Sequence, residues 1–246
     1  MKNKNPLAGV FLVLVISFIV SCKKEPADAA NAGSNNNTEI AVMPNGIPQG
    51  TYNSILNISE GKTNNNLIIH TTSASFYQNP SPYASSNPKV DVVSVSVNNT
   101  LLAHTGPGAY DDTTGSITFP PASWVVTGNS VIPSFIYTNS DPFPILDTMA
   151  VPGIVHLNSD IHIHLNNSSG FNAVYLSISD TAGNYTRIGS NNLLYATLPK
   201  DSLARFTSGT HGSLYFSLVK YETKNLRGKN VLFITEKYYG KKISFL

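Results

Sequence analysis

The 246-residue chain contains a single cysteine, Cys22, so an intrachain disulfide is excluded. Whatever holds the fold must be a packed core without a covalent staple. Charge is scarce as well: Asp, Glu, Lys and Arg make up 12% of the residues, and the formal net charge is +2. No excess of one sign supplies a general electrostatic reason to bind nucleic acid or an acidic polymer. The chain has no GxSxG elbow for a serine nucleophile and no HExxH helix for a catalytic zinc. "GPGAYDD" at 106–112 has neither the GK[ST] ending nor the following helix of a phosphate loop. Asp111 and Asp112 lack the EF-hand spacing and read as a tight turn. No long apolar run is present: Leu7–Val20 is an uncharged stretch of fourteen residues, short of the ~20 a spanning helix needs.

What is present begins with that short run. Lys2 and Lys4 precede it, the layout of a secretory signal peptide. It ends in Ile19-Val20-Ser21-Cys22, which resembles the lipobox cut by bacterial lipoprotein signal peptidase. The resemblance implies that residues 1–21 are a leader, that the Cys22 sulfur carries a diacylglyceryl group, and that Cys22 starts the mature protein. Each buried methylene of such an anchor adds about 0.8 kcal/mol of membrane affinity, so the membrane is an address and the lipidated Cys22 its contact. The start "SCKKE" is similar to that of many Bacteroidota lipoproteins. Lys23 stands where an aspartate would resemble an inner-membrane retention signal, which implies the outer membrane, with the domain facing the periplasm or the cell surface.

Without residues 1–21 the chain has 14 cations (16 less Lys2 and Lys4) against 14 carboxylates. They are unevenly spread. Lys220, Lys224, Arg227, Lys229, Lys237, Lys241 and Lys242 face only Glu222 and Glu236 in the last 27 residues. Lysines on solvated edge strands, where they block sheet-to-sheet association, explain this pattern; a patch for lipid headgroups or acidic glycans is the functional alternative.

Residues 22–47 are rich in Ala, Asn, Pro and Gly without hydrophobic period, and read as a flexible tether. From Thr51 onward the period is two. Val93, Val95 and Val97 alternate with Ser94 and Ser96; Ile161, Ile163 and Leu165 with His162 and His164; Val174, Leu176 and Ile178 with Tyr175 and Ser177. Turn residues separate these runs, and the 27 asparagines suit the loops. The expected fold is all-β, an immunoglobulin-like β-sandwich of one or two domains. "PKDSLARFTSG" at 199–209 is expected to be a two-turn crossover helix capped by Asp201 or Ser202 and stopped by Gly209. A soft boundary near Gly128 divides a β-rich N-terminal domain, 48–127, from an Ig-like domain, 128–246. The strand pattern resembles immunoglobulin and fibronectin type III modules, without their Cys-Trp-Cys core. "SWVVTGNSVIPSFIYTN" with the ending "GKNVLFITEKYYGKKISFL" resembles a functionally uncharacterised group of Bacteroidota lipoproteins.

Three side-chain patterns bear on chemistry. His162 and His164 share one side of a strand, and His156 and Asp160 lie close in sequence. Two imidazoles are too few for zinc, which takes three or four ligands, so no metal or cofactor is expected; His156, His162 and His164 are the side chains that would build such a site. Twelve tyrosines allow a sugar-stacking platform, with Tyr77, Tyr83, Tyr110 and Tyr137 as candidates. Asp112-Thr113-Thr114, Asp147-Thr148-Met149, Asp180-Thr181-Ala182 and Asp201-Ser202-Leu203 resemble the motif at which Bacteroidota O-glycosylate exported proteins, which implies Thr113, Thr148, Thr181 and Ser202 as acceptors. The expected function is a membrane-anchored, non-enzymatic binding, adhesion or envelope-assembly module whose partner is a glycan or an envelope protein and not a nucleic acid. A glycan-binding accessory lipoprotein is the alternative, and a metal-dependent enzyme using His162 and His164 the second.

Overall fold

The alternating pattern of the C-terminal segment produces two very long strands, and the rest of the protein is arranged around them. The computed structural model of the chain describes residues 50–63, 67–80, 88–119, 121–146, 151–190 and 194–246. The leader, Cys22 and the tether lie outside the described residues, as do Tyr83 and Thr148.

Strands β14 (His211–Leu226) and β15 (Lys229–Phe245) form an antiparallel hairpin in unbroken register from His211↔Ser244 to Leu226↔Lys229. Its two-residue turn places Arg227 (φ 53°) and Gly228 (φ 82°) in the left-handed region, the geometry that matches strand twist. On the far side of β15, β1 (Ser54–Thr63) pairs in parallel from Ser54↔Val231 to Thr63↔Gly240. β2 (Ile68–Phe76) then pairs antiparallel with β1. Beyond it lie β6 (Ala109–Asp111) and β5 (Ala103–Gly106). Beyond β14 lie β11 (Ala173–Asp180) and β12 (Tyr185–Ser190). Past the end of β1, β9 (Ile154–Val155) takes over parallel pairing with Ser244 and Phe245, completing a nine-stranded sheet.

Two smaller sheets pack on this one. The first has the order β4 (Thr100–Leu101), β3 (Ser94–Val97), β7 (Ala122–Thr127), β8 (Phe135–Asn139). The second pairs β10 (Ile161–His164) with β13 (Tyr195–Leu198). Each covers its own apolar cluster. Leu56, Ile58, Phe76, Val231 and Phe233 of the large sheet meet Val95, Val97, Trp124, Val126 and Phe135 in one core. Val174, Leu176, Ile178, Leu214, Phe216, Ile243 and Phe245 meet Ile161, Ile163, Ala196, Leu198 and Leu203 in the other. Val231, Phe233, Ile243 and Phe245 are all odd-numbered on one unbulged strand, so both cores lie on the same face of the large sheet. The protein is thus an all-β, sandwich-like structure with open sheet edges and not a closed barrel.

Three details differ from the sequence reading. The expected two-turn helix is one 3-10 turn, Lys200–Leu203, following Pro199 and with no side-chain cap; its purpose is to bury Leu203. A boundary at Gly128 falls in the loop joining the paired strands β7 and β8, and Ile132 and Phe135 beyond it pack in the same core as Trp124. Val93 lies just ahead of β3 and is exposed, whereas Val95 and Val97 are fully buried.

Candidate functional site

Between the two cores the inner face of the large sheet turns polar. Thr235 and Lys237 stand between Phe233 and Tyr239 on β15; Lys220 and Glu222 follow Leu218 on β14; Glu60 follows Ile58 on β1. The register sets these groups against each other: Glu60 opposes both Lys237 and His70, and Lys220 opposes Thr235. Lys237 Nζ ion-pairs with Glu60, whose other oxygen lies 3.8 Å from His70 Nε2. Lys220 Nζ pairs with Asp141 Oδ2 at 2.5 Å, and Lys224 Nζ with Glu222 Oε2 at 3.0 Å. Asn139 Nδ2 donates to Thr235 Oγ1 at 3.2 Å, and the Tyr137 hydroxyl donates to Glu222. Aromatic rings close the seam: Phe143 lies 6.0 Å from Lys237 Nζ and 6.1 Å edge-on from Phe119, which stacks on His70 at 6.4 Å. Burial pushes the Lys237 amine below the usual lysine range.

Every carboxylate of this seam is engaged by an amine. Together with the Tyr137–Glu222 and Asn139–Thr235 hydrogen bonds, these pairs join the two halves of the sandwich. The sequence signal was faint: charges at both odd and even positions of "ITEKYYGKK" break the alternation, and on β1 Glu60 and Lys62 follow Leu56 and Ile58 on one face.

The histidines do not converge. His162 and His164 are exposed on one side of β10, and His162 Nδ1 lies 2.9 Å from Thr197 Oγ1 of β13. His156 is exposed in the preceding loop, and Asp160 Oδ1 accepts a hydrogen bond from the Lys200 backbone N–H at 2.8 Å. Among the described residues no group of three His, Cys, Asp or Glu side chains is placed to hold a metal ion.

The candidate sugar-stacking tyrosines are packing residues where described. Tyr110 is 4% exposed; its hydroxyl donates to the Val92 carbonyl at 2.5 Å and its ring meets Phe76 edge-on. The Tyr137 ring lies 4.0 Å from that of Phe233. Tyr77 is half-buried beside Tyr52 and Leu232, and burial raises its pKa. On the opposite face of the large sheet, two tyrosines lie over glycines of the neighbouring strand: Tyr238 opposite Gly61, and Tyr215 opposite Gly240. Burial, reinforced by Glu236 and Tyr215, raises the Tyr238 phenol above its ordinary range.

The candidate acceptor threonines sit on tight turns. Thr113 is exposed beside Asp112, whose carboxylate accepts from the N–H groups of Thr114 at 2.9 Å, Gly115 at 3.1 Å and Ile117 at 3.3 Å. Thr181 is exposed beside Asp180, which accepts from the N–H groups of Ala182 at 3.0 Å and Asn184 at 2.8 Å. Burial raises both aspartates, but these hydrogen bonds outweigh it and hold both below the ordinary carboxylate range. Ser202 is half-buried within the 3-10 turn.

The remaining feature is where the chain enters the domain. Asn230, next to Lys229, donates from Nδ2 to the Thr51 carbonyl at 3.2 Å and from its backbone N–H to Asn53 Oδ1 at 3.2 Å. Its carbonyl accepts from the Asn53 N–H at 2.7 Å. The entry point is therefore tied to the β14–β15 turn, where Lys224, Arg227 and Lys229 gather. No family model and no curated protein matches the chain.

Proposed function

We propose that this protein is a lipid-anchored envelope protein: a leader of residues 1–21 is removed, Cys22 is acylated, and the tether 22–47 carries the sandwich as a non-enzymatic binding, adhesion or envelope-assembly module. The observation that carries the reading is the lone cysteine, placed where an apolar run of signal-peptide length ends. Two structural facts accord with it. The described fold stands on apolar cores alone, as a disulfide-free exported domain must. No helix among the described residues is long and apolar enough to cross a membrane.

On this reading the lipid holds the domain at the outer membrane, and ligands are taken by sandwich loops away from the chain entry. Thr113 and Thr181, exposed on rigid turns, are the acceptors best placed for O-glycosylation, and an intact mass equal to lipid plus polypeptide would exclude it.

The test is labelled-palmitate incorporation into the wild-type chain and a Cys22→Ala variant in the native host, with protease shaving of intact cells. Label that depends on Cys22 supports the anchor, and absence of such label sinks it. Protease sensitivity then places the domain outside the cell, and protection places it in the periplasm.

A further inference from the structure

We propose that the end of the domain at which the chain enters is a docking surface for anionic lipid headgroups, built from Arg227 and Lys229 with the apolar Ile136 in the groove that Arg227 lines. Its orientation rests on the reading of Cys22 as the anchor, and four observations carry it.

First, place. The hydrogen bonds from Asn230 to Thr51 and Asn53 fix the entry point one residue from Lys229. Lys89 lies at the same end, since its strand bridge is to Tyr77, whose N–H donates to the Asn53 carbonyl at 2.9 Å. A lipid on Cys22 therefore draws this end toward the bilayer. On the reading of residues 22–47 as a tether, the expected span from lipid to domain is about 30 Å. Held so close, even weak docking is populated, because tethering supplies an effective concentration in the millimolar range.

Second, charge. Lys89, Lys224, Arg227 and Lys229 share this end with the carboxylates Asp91 and Glu222. Asp91 is occupied by His104 Nε2 at 3.0 Å and the Gly108 N–H at 2.6 Å, and Glu222 by Lys224 and Tyr137. Arg227 is exposed and makes no ion pair among the described residues.

Third, backbone. Arg227 holds φ 53° in a two-residue turn where Asn, Asp or Gly would sit with less strain. The strained position keeps a guanidinium at the outermost point of the hairpin, and such outliers persist where function holds them.

Fourth, apolar surface. Ile136 is 71% exposed, and with Val125, Phe135, Leu226 and Arg227 it lines an open groove of about 490 Å³. A large aliphatic side chain in one groove with the exposed Arg227 suits the boundary between headgroups and acyl chains, where basic residues meet anionic lipid and apolar ones enter.

The experiment uses the chain from residue 22 to 246 with Cys22→Ser, so that no acyl group contributes. The compact unit Asn37–Leu246, which holds every described element, is intact in it. Flotation with phosphatidylethanolamine–phosphatidylglycerol vesicles is compared with pure phosphatidylcholine vesicles. Binding is expected on the first and not on the second, and should fall as salt shortens the screening length. Each cation near the surface is worth roughly five-fold in partitioning, so an Arg227→Asn/Lys229→Gln variant should bind about 25-fold more weakly. Asn suits the left-handed turn, so this variant keeps its melting temperature and its loss is not misfolding. Ile136→Ser should weaken binding at low and high salt alike. Equal partitioning on both vesicle types, or a charge variant that binds like wild type, overturns the proposal. So does displacement by inorganic phosphate at matched ionic strength, which would mark a free-anion site. Failure of palmitate labelling bears on the anchor alone, since the vesicle assay contains no acylated chain.

Discussion

Substitution of Gly61 by alanine tests the aromatic–glycine pairing on the outer face of the large sheet. Gly61 opposes Tyr238 across β1 and β15, and a Cβ at Gly61 would lie 1.9 Å from Tyr238 Cζ and 2.2 Å from Cε2. The backbone of Gly61 is not in the left-handed region, and the three atoms nearest the added Cβ all belong to the Tyr238 side chain. Tyr238 must therefore leave its seat. It is half-buried, and surrendering about 100 Å² of contact at about 25 cal/mol/Å² costs about 2.5 kcal/mol. Alanine recovers about 0.5–1 kcal/mol by restricting the unfolded chain. The net expectation is destabilisation of about 1.5–2 kcal/mol, or a melting temperature lower by about 3–8 °C for a domain of this size. Urea denaturation of wild type, Gly61→Ala, Tyr238→Ala and the double variant supplies the measurement. In the Tyr238→Ala background the sign should reverse, with Gly61→Ala stabilising by about 0.5–1 kcal/mol. Destabilisation that persists without the ring would refute the reasoning, because the backbone and not the tyrosine would then require the glycine. Gly240 provides an internal control: its nearest neighbour is Tyr215 Cε1 at 3.0 Å, so a shift of a few tenths of an ångström suffices and Gly240→Ala should cost under ~1 kcal/mol.

Other expectations concern the seam, the turns and the core. Lys237→Met alone leaves Glu60 facing only His70 and should destabilise by about 2 kcal/mol, whereas Lys237→Met with Glu60→Gln should return to within about 1 kcal/mol of wild type in the same urea assay. Asp112 titrates lower when folded than when unfolded, because its hydrogen bonds outweigh burial. Its stabilisation is therefore present above the ordinary carboxylate pKa of about 4 and is lost as pH falls through the lower folded value. Asp112→Asn should cost about 1–2 kcal/mol at neutral pH and progressively less in acid, read as converging melting temperatures. Trp124 is 1% exposed in the core under the four-stranded sheet, and Trp124→Ala should cost about 3–5 kcal/mol, enough to abolish a cooperative melt in a marginal domain.

The fold was legible in the sequence where one face is apolar and the other wet. Ile161, Ile163 and Leu165 against His162 and His164 gave β10 and its orientation directly, and the turn at Asn98-Asn99 holds both residues at positive φ, as that pair permits. What local pattern cannot carry is long-range pairing. The parallel bond of β1 to β15 joins Ser54 to Val231, across most of the described chain, and it makes one sheet the floor of both cores. A boundary drawn from local regularity near Gly128 has no access to that pairing. The same limit explains the short 3-10 turn: Pro199, Asp201 and Gly209 are helix punctuation, but Leu203 and Phe206 are both buried against the large sheet from a single turn, and Phe206 stacks on Phe245, a partner 39 positions away. The tyrosines follow the same rule: Tyr110 and Tyr137 pack against Phe76 and Phe233, residues 34 and 96 positions away.

The basic C-terminal segment shows how topology turns an ambiguous composition into separate roles. As sequence its seven cations read as a wet edge, with a ligand patch as the alternative. In the fold its members part company. Lys220 and Lys237 point inward to Asp141 and Glu60 and close the seam between the cores, and Lys241 Nζ donates to the Val151 carbonyl at 2.6 Å. Neutralising those three should lower stability and leave vesicle binding unchanged. Arg227 and Lys229, at the turn beside the chain entry, make no ion pair among the described residues, and on the proposed docking their neutralisation should do the reverse. A charge count predicts that all seven behave alike, and comparing the two sets in one flotation and one melting experiment decides between count and placement.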